Sequence, residues 1–172
     1  MVSPERLTAL FNRYHVPLVR FLTCRLGDRD WAEEVAQETF VRALRQDTIT
    51  SERSWLFAVA SNLLRDETRR DIRQKRRLEL MREESAANVA TELEPTSMER
   101  DEARAVARRA IEALADRDRD ALLMREEGLD YEEIATALGL SVGSVGTTLS
   151  RARRRLMEAY TALQAEGAGD TR

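Results

Sequence analysis

Glycine and proline are scarce in this chain of 172 residues, with seven and three respectively. Runs of β-branched residues are absent, while leucine, alanine, arginine and glutamate are abundant. Turn-rich β architectures need what is missing here, so the composition predicts an all-α protein. A single cysteine, Cys24, excludes a disulfide framework and a cysteine-based zinc site within one chain. It lies among apolar neighbours and reads as core. The lone histidine, His15, has no second histidine or cysteine nearby, and a metal site needs several convergent ligands. No glycine-rich phosphate loop is present. The carboxylates are many, but they fall in helix caps and i,i+4 ladders. Neither an enzyme nor a cofactor nor a bound metal is expected. No stretch approaches the length of a membrane span, and "MVSPERLTAL" lacks the apolar region of a signal peptide, so the expected location is the cytoplasm. With aromatics at only 5%, each core must rest on leucine, valine and alanine. Small helical domains built this way are modestly stable.

Charge is plentiful. The net value of −3 argues against a bulk nucleic-acid coat protein but hides a pattern. Residues 1–80 carry 15 basic against 12 acidic residues, and residues 81–120 carry 7 against 11. Basic clusters lie at Arg69–Arg77 and Arg151–Arg155. Such clustering bears on nucleic-acid contact more than the total does.

Helical periodicity organises the chain. Ser3-Pro4 is a helix start, and Leu7, Leu10, Phe11, Tyr14, Leu18, Phe21, Leu22 and Leu26 follow at helical spacing. Pro17 should kink or split that helix. Asp30 with Glu33 forms a capping box opening a helix from Trp31 to about Arg45. "QDTITSER" reads as a loop. A long helix then starts near Glu52, with Trp55, Leu56, Val59, Ala60 and Leu63 as its stripe. Residues 83–95, "EESAANVATELEP", lose periodicity and read as a linker. Thr96 with Glu99 caps a further helix to about Ala115, a short one spans Asp118–Glu127, and "AEGAGDTR" reads as a frayed tail. The expected architecture is two small helical domains, each of about four helices: residues 1–82, a flexible linker 83–95, residues 96–163, and a tail 164–172.

Tyr131 to Leu156, "YEEIATALGLSVGSVGTTLSRARRRL", is the most informative stretch. Asp130 and Glu133 form a capping box, Gly139 closes the first helix and Ser141 can cap the second. Tyr131, Ile134, Ala135 and Leu138 share one face; Val142, Val145, Leu149, Ala152 and Leu156 form the stripe of the next helix. Its far face carries Ser144, Thr147, Arg151 and Arg154. Two stripes across a three-residue turn fit a helix-turn-helix, and small polar residues followed by arginines suit major-groove reading flanked by phosphate contacts. A helical hairpin with a solvated basic face fits as well.

Two other segments leave similar alternatives. In "WAEEVAQETFVRALR", Ala32, Val35, Ala36, Thr39 and Ala43 serve a buried side, and Glu34, Gln37, Glu38, Val41 and Arg45 face elsewhere. That outer face could dock a partner helix or simply be solvated. In "SNLLRDETRRDIRQKRR", six basic residues lie between Arg69 and Arg77, either solvated or tracking a phosphate backbone.

Taken together, these segments resemble the two-domain sigma factors of bacterial RNA polymerase, of the extracytoplasmic-function type in the sigma-70 family. "AEEVAQETFVRAL" looks like the helix that docks on the clamp coiled coil of the polymerase β′ subunit. "SWLFAVASNLLRDETRR" is similar to the helix after the promoter-melting loop. "RDALLMREEGLDYEEIATALGLSVGSVGTTLSRARRRL" resembles the domain that reads the minus-thirty-five element. The resemblance covers nearly all of the chain except linker and tail. It implies a transcription initiation factor whose partners are core RNA polymerase (β′ clamp and β flap), promoter DNA and an anti-sigma factor, with no membrane contact of its own. It implies polymerase contacts by Glu34, Gln37, Glu38 and Val41. It implies minus-ten contacts by Thr48, Ile49, Asn62, Arg65, Arg69, Arg70 and Arg73, with the loop Gln46–Arg53 and Asn62 holding a flipped base. It implies minus-thirty-five contacts by Ser144, Thr147, Thr148, Ser150, Arg151 and Arg154. Two departures stand out. The melting loop has no aromatic, so base stacking is not available from it. Gly146 stands where many relatives carry lysine or arginine: either a contact is missing, or the backbone there approaches something too closely for a side chain. The rival reading is a sigma-like helical adaptor that holds polymerase or an anti-sigma partner and recognises no promoter.

Overall fold

The computed structural model describes residues 1–79 and 98–169, with side chains for 1–66 and 100–167. Among these, seven α-helices follow one another: α1 Pro4–Leu26, α2 Arg29–Leu44, α3 Glu52–Glu79, α4 Met98–Glu112, α5 Asp116–Glu126, α6 Tyr131–Leu138 and α7 Val142–Gly169. The all-α expectation is met. The segment read as a linker and Thr96 of the expected capping box lie outside the described residues, as does the Glu99 side chain.

Local chemistry sets the helix ends. The Ser3 hydroxyl accepts from the Arg6 backbone N–H ahead of Pro4, and Gly27, at φ 73°, turns the chain out of α1. α1 runs through Pro17 unbroken. Tyr14, Leu18, Val19 and Leu22 are buried on both sides of the proline, and packing of one face along the whole length holds the helix together. α2 starts earlier than its sequence suggested. Asp28, not Asp30, is the cap, and its carboxylate accepts from the Trp31 backbone N–H at 3.0 Å. At the other end of the chain, α7 continues to Gly169, so residues 164–169 extend the helix that the sequence reading ended in a frayed tail.

α1 and α2 pair along their lengths and both pack on α3; α7 gathers α4, α5 and α6 around itself. Leu10, Leu18, Phe21 and Leu22 of α1 meet Val35, Ala36, Phe40 and Ala43 of α2 and Leu56, Phe57, Ala60 and Leu64 of α3. The second half buries Met124, Leu129, Ile134, Ala135, Leu138, Val145 and Leu149. These residues belong to one continuous cluster, because α3 packs on α6 and α1 touches α5. A small satellite of Leu114, Leu122 and Ala152 sits beside it. Three described helices precede residue 80 and four follow residue 97, and the two sets share a core.

Some apolar residues fall outside that core. Cys24 is exposed, a correction to its reading as core: it follows Arg13, Val16 and Arg20 along the solvent edge of α1, while Leu22 and Leu26 on either side of it turn to the core. Partial shelter, followed by the Glu127 carboxylate, pushes its thiol up. Val142 and Tyr131 are 49% and 41% exposed. Each stands in the first turn of its helix, with no preceding turn to cover it.

Candidate nucleic-acid interface

The hairpin α6–α7 is built as its sequence dictates. Asp130 accepts from the Glu133 backbone at 2.8 Å, and Glu133 accepts from the Asp130 backbone at 2.9 Å. Gly139 takes φ 64° and the Leu140 N–H returns to the Ala135 carbonyl at 2.9 Å, closing α6. Ser144 donates to the Ser141 carbonyl at 2.8 Å at the start of α7. Val145, Leu149 and Ala152 are fully buried, so the opposite edge of α7 faces solvent. Thr147, Ser150 and Arg154 lie on that edge and are exposed, and Ser144 is half-buried beside it. Thr148 is only 5% exposed, which removes it from the predicted contact set. It stands three residues from Val145 and four from Ala152, on the apolar stripe itself.

Arg151 is held from behind. Its Nε donates to Asp118 Oδ2 at 2.9 Å and its Nη2 to the other oxygen, a bidentate pair; Arg155 adds a 3.2 Å contact. Hydrogen bonding from Arg151 holds the buried Asp118 carboxyl below its ordinary range. The pairing fixes the direction of the Arg151 side chain along the helix edge. At Gly146, a Cβ would meet only Tyr131 Cε2, at 3.6 Å, an ordinary contact. No neighbouring element of the protein requires glycine there, which favours the missing-contact alternative.

The minus-ten set divides. Asn62 and Thr48 are exposed. Ile49 is 3% exposed and sits in the core cluster, a correction to its expected role against DNA. Its burial anchors the α2–α3 loop, and its carbonyl accepts from Arg6 Nη2 at 3.2 Å. Arg65 points across to the second half, 3.4 Å from Asp120 Oδ2. Arg69, Arg70 and Arg73 stand on the α3 backbone, but their side chains lie outside the described residues. On α2, Glu34, Gln37, Glu38 and Val41 are all exposed, while Ala32, Ala36, Thr39 and Ala43 on the other side are fully buried. Arg42 bonds Glu38 at 2.9 Å along the same surface. The four residues expected to meet polymerase thus share one exposed face.

Sequence reasoning missed the contacts between the halves. Arg53 Nη2 donates to the Glu127 carbonyl at 2.7 Å and its Nη1 to the Gly128 carbonyl at 3.2 Å. Arg20 bonds Glu127 at 2.8 Å, and Arg25 Nε bonds Asp120 at 2.6 Å. Each of these pairs spans more than 70 residues of sequence, and no local pattern encodes it. A cleft of about 340 Å³ lies on the same side, lined by His15, Val16, Val19, Cys24, Glu33 and Glu127 among others. His15 stacks on Phe11 and pairs with Glu33 at 2.9 Å there.

Comparison with known proteins matches residues 10–76 to sigma-70 region 2 and residues 104–156 to sigma-70 region 4. RNA polymerase sigma factor YlaC of Bacillus subtilis is 30% identical over 166 residues, covering 94% of this chain and 95% of that protein. The ferric citrate uptake sigma factor FecI of Escherichia coli is 30% identical over 84% of each chain. The ECF RNA polymerase sigma factor SigE of Mycolicibacterium smegmatis is 33% identical over 85% of this chain, which spans 58% of that longer relative. Among solved structures, the sigma factor RpoE of Bartonella quintana, in complex with the anti-sigma factor NepR, superposes with a TM-score of 0.62 at 21% identity, covering 91% of this chain and 95% of that one. With both regions present in order, and a relative matched over nearly its whole length, the chain belongs to the extracytoplasmic-function group of the sigma-70 family of RNA polymerase sigma factors.

Proposed function

We propose that the chain docks on core RNA polymerase through the exposed face of α2 and directs it to promoters, reading a minus-ten element with α3 and its preceding loop and a minus-thirty-five element with α7. The units doing so are residues 1–82 on the β′ clamp and residues 96–163 on the β flap, joined through 83–95, with 164–172 as a tail. Polymerase carries out the chemistry, and this chain supplies recognition in the cytoplasm. The observation that carries the reading is α7: Thr147, Ser150 and Arg154 lie in solvent on a helix whose other edge is fully buried and capped by a helix-turn-helix geometry. Base contacts specify, and phosphate contacts position. Thr147 and Ser150 suit the first role, and Arg151 and Arg154 the second.

At the minus-ten end, Asn62 and Thr48 offer amide and hydroxyl groups to an extruded base, whose unstacking costs a few kcal/mol. Ile49 is buried and the loop has no aromatic, so capture there rests on hydrogen bonds. Arg69, Arg70 and Arg73 follow along α3 toward the phosphates. An anti-sigma factor that holds the two halves together fits this arrangement, supported by a solved neighbour bound to one.

Run-off transcription with core polymerase and a promoter library tests the reading. Discrete transcripts from a subset of promoters are expected. Polymerase capture without any promoter-selective transcript would favour the adaptor alternative instead.

A further inference from the structure

Asp120 is completely buried, yet most of its partners come from the other half of the chain. Arg25 Nε, the Ser61 hydroxyl and Arg65 Nη2 converge on its two oxygens. Arg25 is itself only 10% exposed and also reaches Asp116 at 3.2 Å. Two guanidiniums and a hydroxyl converging on one carboxylate form a site for a singly charged oxyanion. Ser61 directly precedes Asn62, and Arg65 is one turn further along α3. The socket therefore lies beside the proposed minus-ten residues. The pattern extends across the junction: Arg20, Arg25, Arg53 and Arg65 come from the first half, and Glu127, Asp116, Asp120 and Glu133 from the second.

We infer that the Arg25–Ser61–Arg65 socket is a binding site for a backbone phosphate of the melted promoter strand, and that Asp120 occupies it as an internal stand-in while the halves are closed. The inference rests on the promoter-reading function proposed above. A phosphodiester carries one negative charge and presents oxygens at a spacing close to that of a carboxylate. It satisfies the same three donors. Arg25 and Ser61 thereby join the DNA-binding set, and Asp120 becomes its competitor. Tethering on one chain gives the competitor an effective concentration of order mM, so a free strand at ordinary concentration loses. Polymerase, by holding the halves apart, would empty the socket for DNA. Arg53 acts in the same sense. Its guanidinium, at the end of the minus-ten loop, is occupied by the carbonyls that end α5.

The test uses the full chain without polymerase and a fluorescent single-stranded oligonucleotide of random sequence, with a duplex of the same composition as a second arm. Asp120→Asn keeps the shape and removes the charge. It should enlarge the radius of gyration in solution scattering and raise strand affinity about tenfold, as release of a closed state populated above nine parts in ten requires. Adding Arg25→Gln to Asp120→Asn should remove most of that gain and make the salt dependence shallower by about 0.7 in slope, one phosphate's worth for single strands. The idea is overturned if Asp120→Asn changes neither size nor affinity, if Arg25→Gln leaves the gain intact, or if the gain appears with duplex alone. Should Asp120→Asn lose its cooperative melt, Arg25→Gln by itself decides. It should open the halves with a gain in strand affinity well short of tenfold, and a full tenfold gain would overturn the socket. Strand binding is read without polymerase, so its failure leaves run-off transcription, and the reading beneath this inference, standing.

Discussion

Asp118 and Asp120 lie two residues apart on α5, and both are buried. Asp118 takes Arg151 and Arg155 from α7, within its own half. Asp120 takes Arg25 and Arg65 from α1 and α3, across the junction. Two helical steps rotate a side chain by about 200°, so one short helix presents a carboxylate to each neighbour. The first pair lies wholly within the second half, so nothing in the first half is needed to form it. The second forms only where the two halves meet. Buried ion pairs of similar appearance thus do different work, and the partner's place in the chain tells them apart.

Substitutions can break this comparison or sharpen it. The largest loss of stability is expected from Asp118→Ala, which strands two arginines at the foot of α7. The melting point should fall by about 5 °C, given that roughly 1 kcal/mol corresponds to 2–4 °C for a chain of this size, and minus-thirty-five binding should weaken with it. A melt unchanged from the parent would show that the Asp118 pair is mere surface decoration. The same pair predicts an acid response. Because the folded carboxyl lies below its ordinary value, about 3.9 when unfolded, its contribution is present above that value. It is lost as pH falls through the lower, folded one. Chemical denaturation of Asp118→Asn and parent should therefore differ at pH 6 and converge at the acid end.

Gly128→Ala comes next. Gly128 holds φ 85°, where a non-glycine residue costs about 1–2 kcal/mol, and its new Cβ would sit 3.2 Å from Arg53 Nη2. A drop of about 3 °C should accompany a looser junction in scattering, in contrast to Asp118→Ala, which leaves the junction closed. Gly146→Ala has the opposite sign. Glycine in mid-helix costs up to about 1 kcal/mol and the space is open, so the melting point should rise by about 2 °C. Gly146→Arg should in addition steepen the salt dependence of holoenzyme binding to duplex by about 0.9 in slope. Melting of both variants below the parent would restore the close-approach reading. The smallest stability effect is expected for Gln37→Ala combined with Glu38→Lys, within about 0.5 kcal/mol for exposed positions. Its signature is functional: weaker capture of core polymerase in a pull-down from an otherwise folded, closed chain.

What the sequence made legible follows the range of each interaction. The Asp130 capping box, the Gly139 turn, the Ser3-Pro4 start and the buried stripe of α2 are set by residues within a few positions of one another, and periodicity or caps reveal them. The family resemblance puts Thr148 and Ile49 against DNA, where helical phase and loop anchoring impose burial. The junction was invisible. Arg25 and Asp120 stand 95 residues apart, and an arginine awaiting a carboxylate looks in sequence like an arginine awaiting a phosphate.

The anchoring of the α2–α3 loop has one more consequence. Ile49 is buried in the core, Arg6 ties its carbonyl and the Glu52 carboxylate at 3.1–3.3 Å, and Thr48, Thr50 and Ser51 remain exposed between and beside those fixed points. The loop is pinned at those points and carries those three side chains in solvent. Under the minus-ten reading proposed above, substitutions at its exposed positions should change which base is accepted while leaving the loop's folding energy almost untouched. Promoter preference in such a chain is free to diverge between lineages faster than its architecture, with recognition evolving on positions that stability does not constrain.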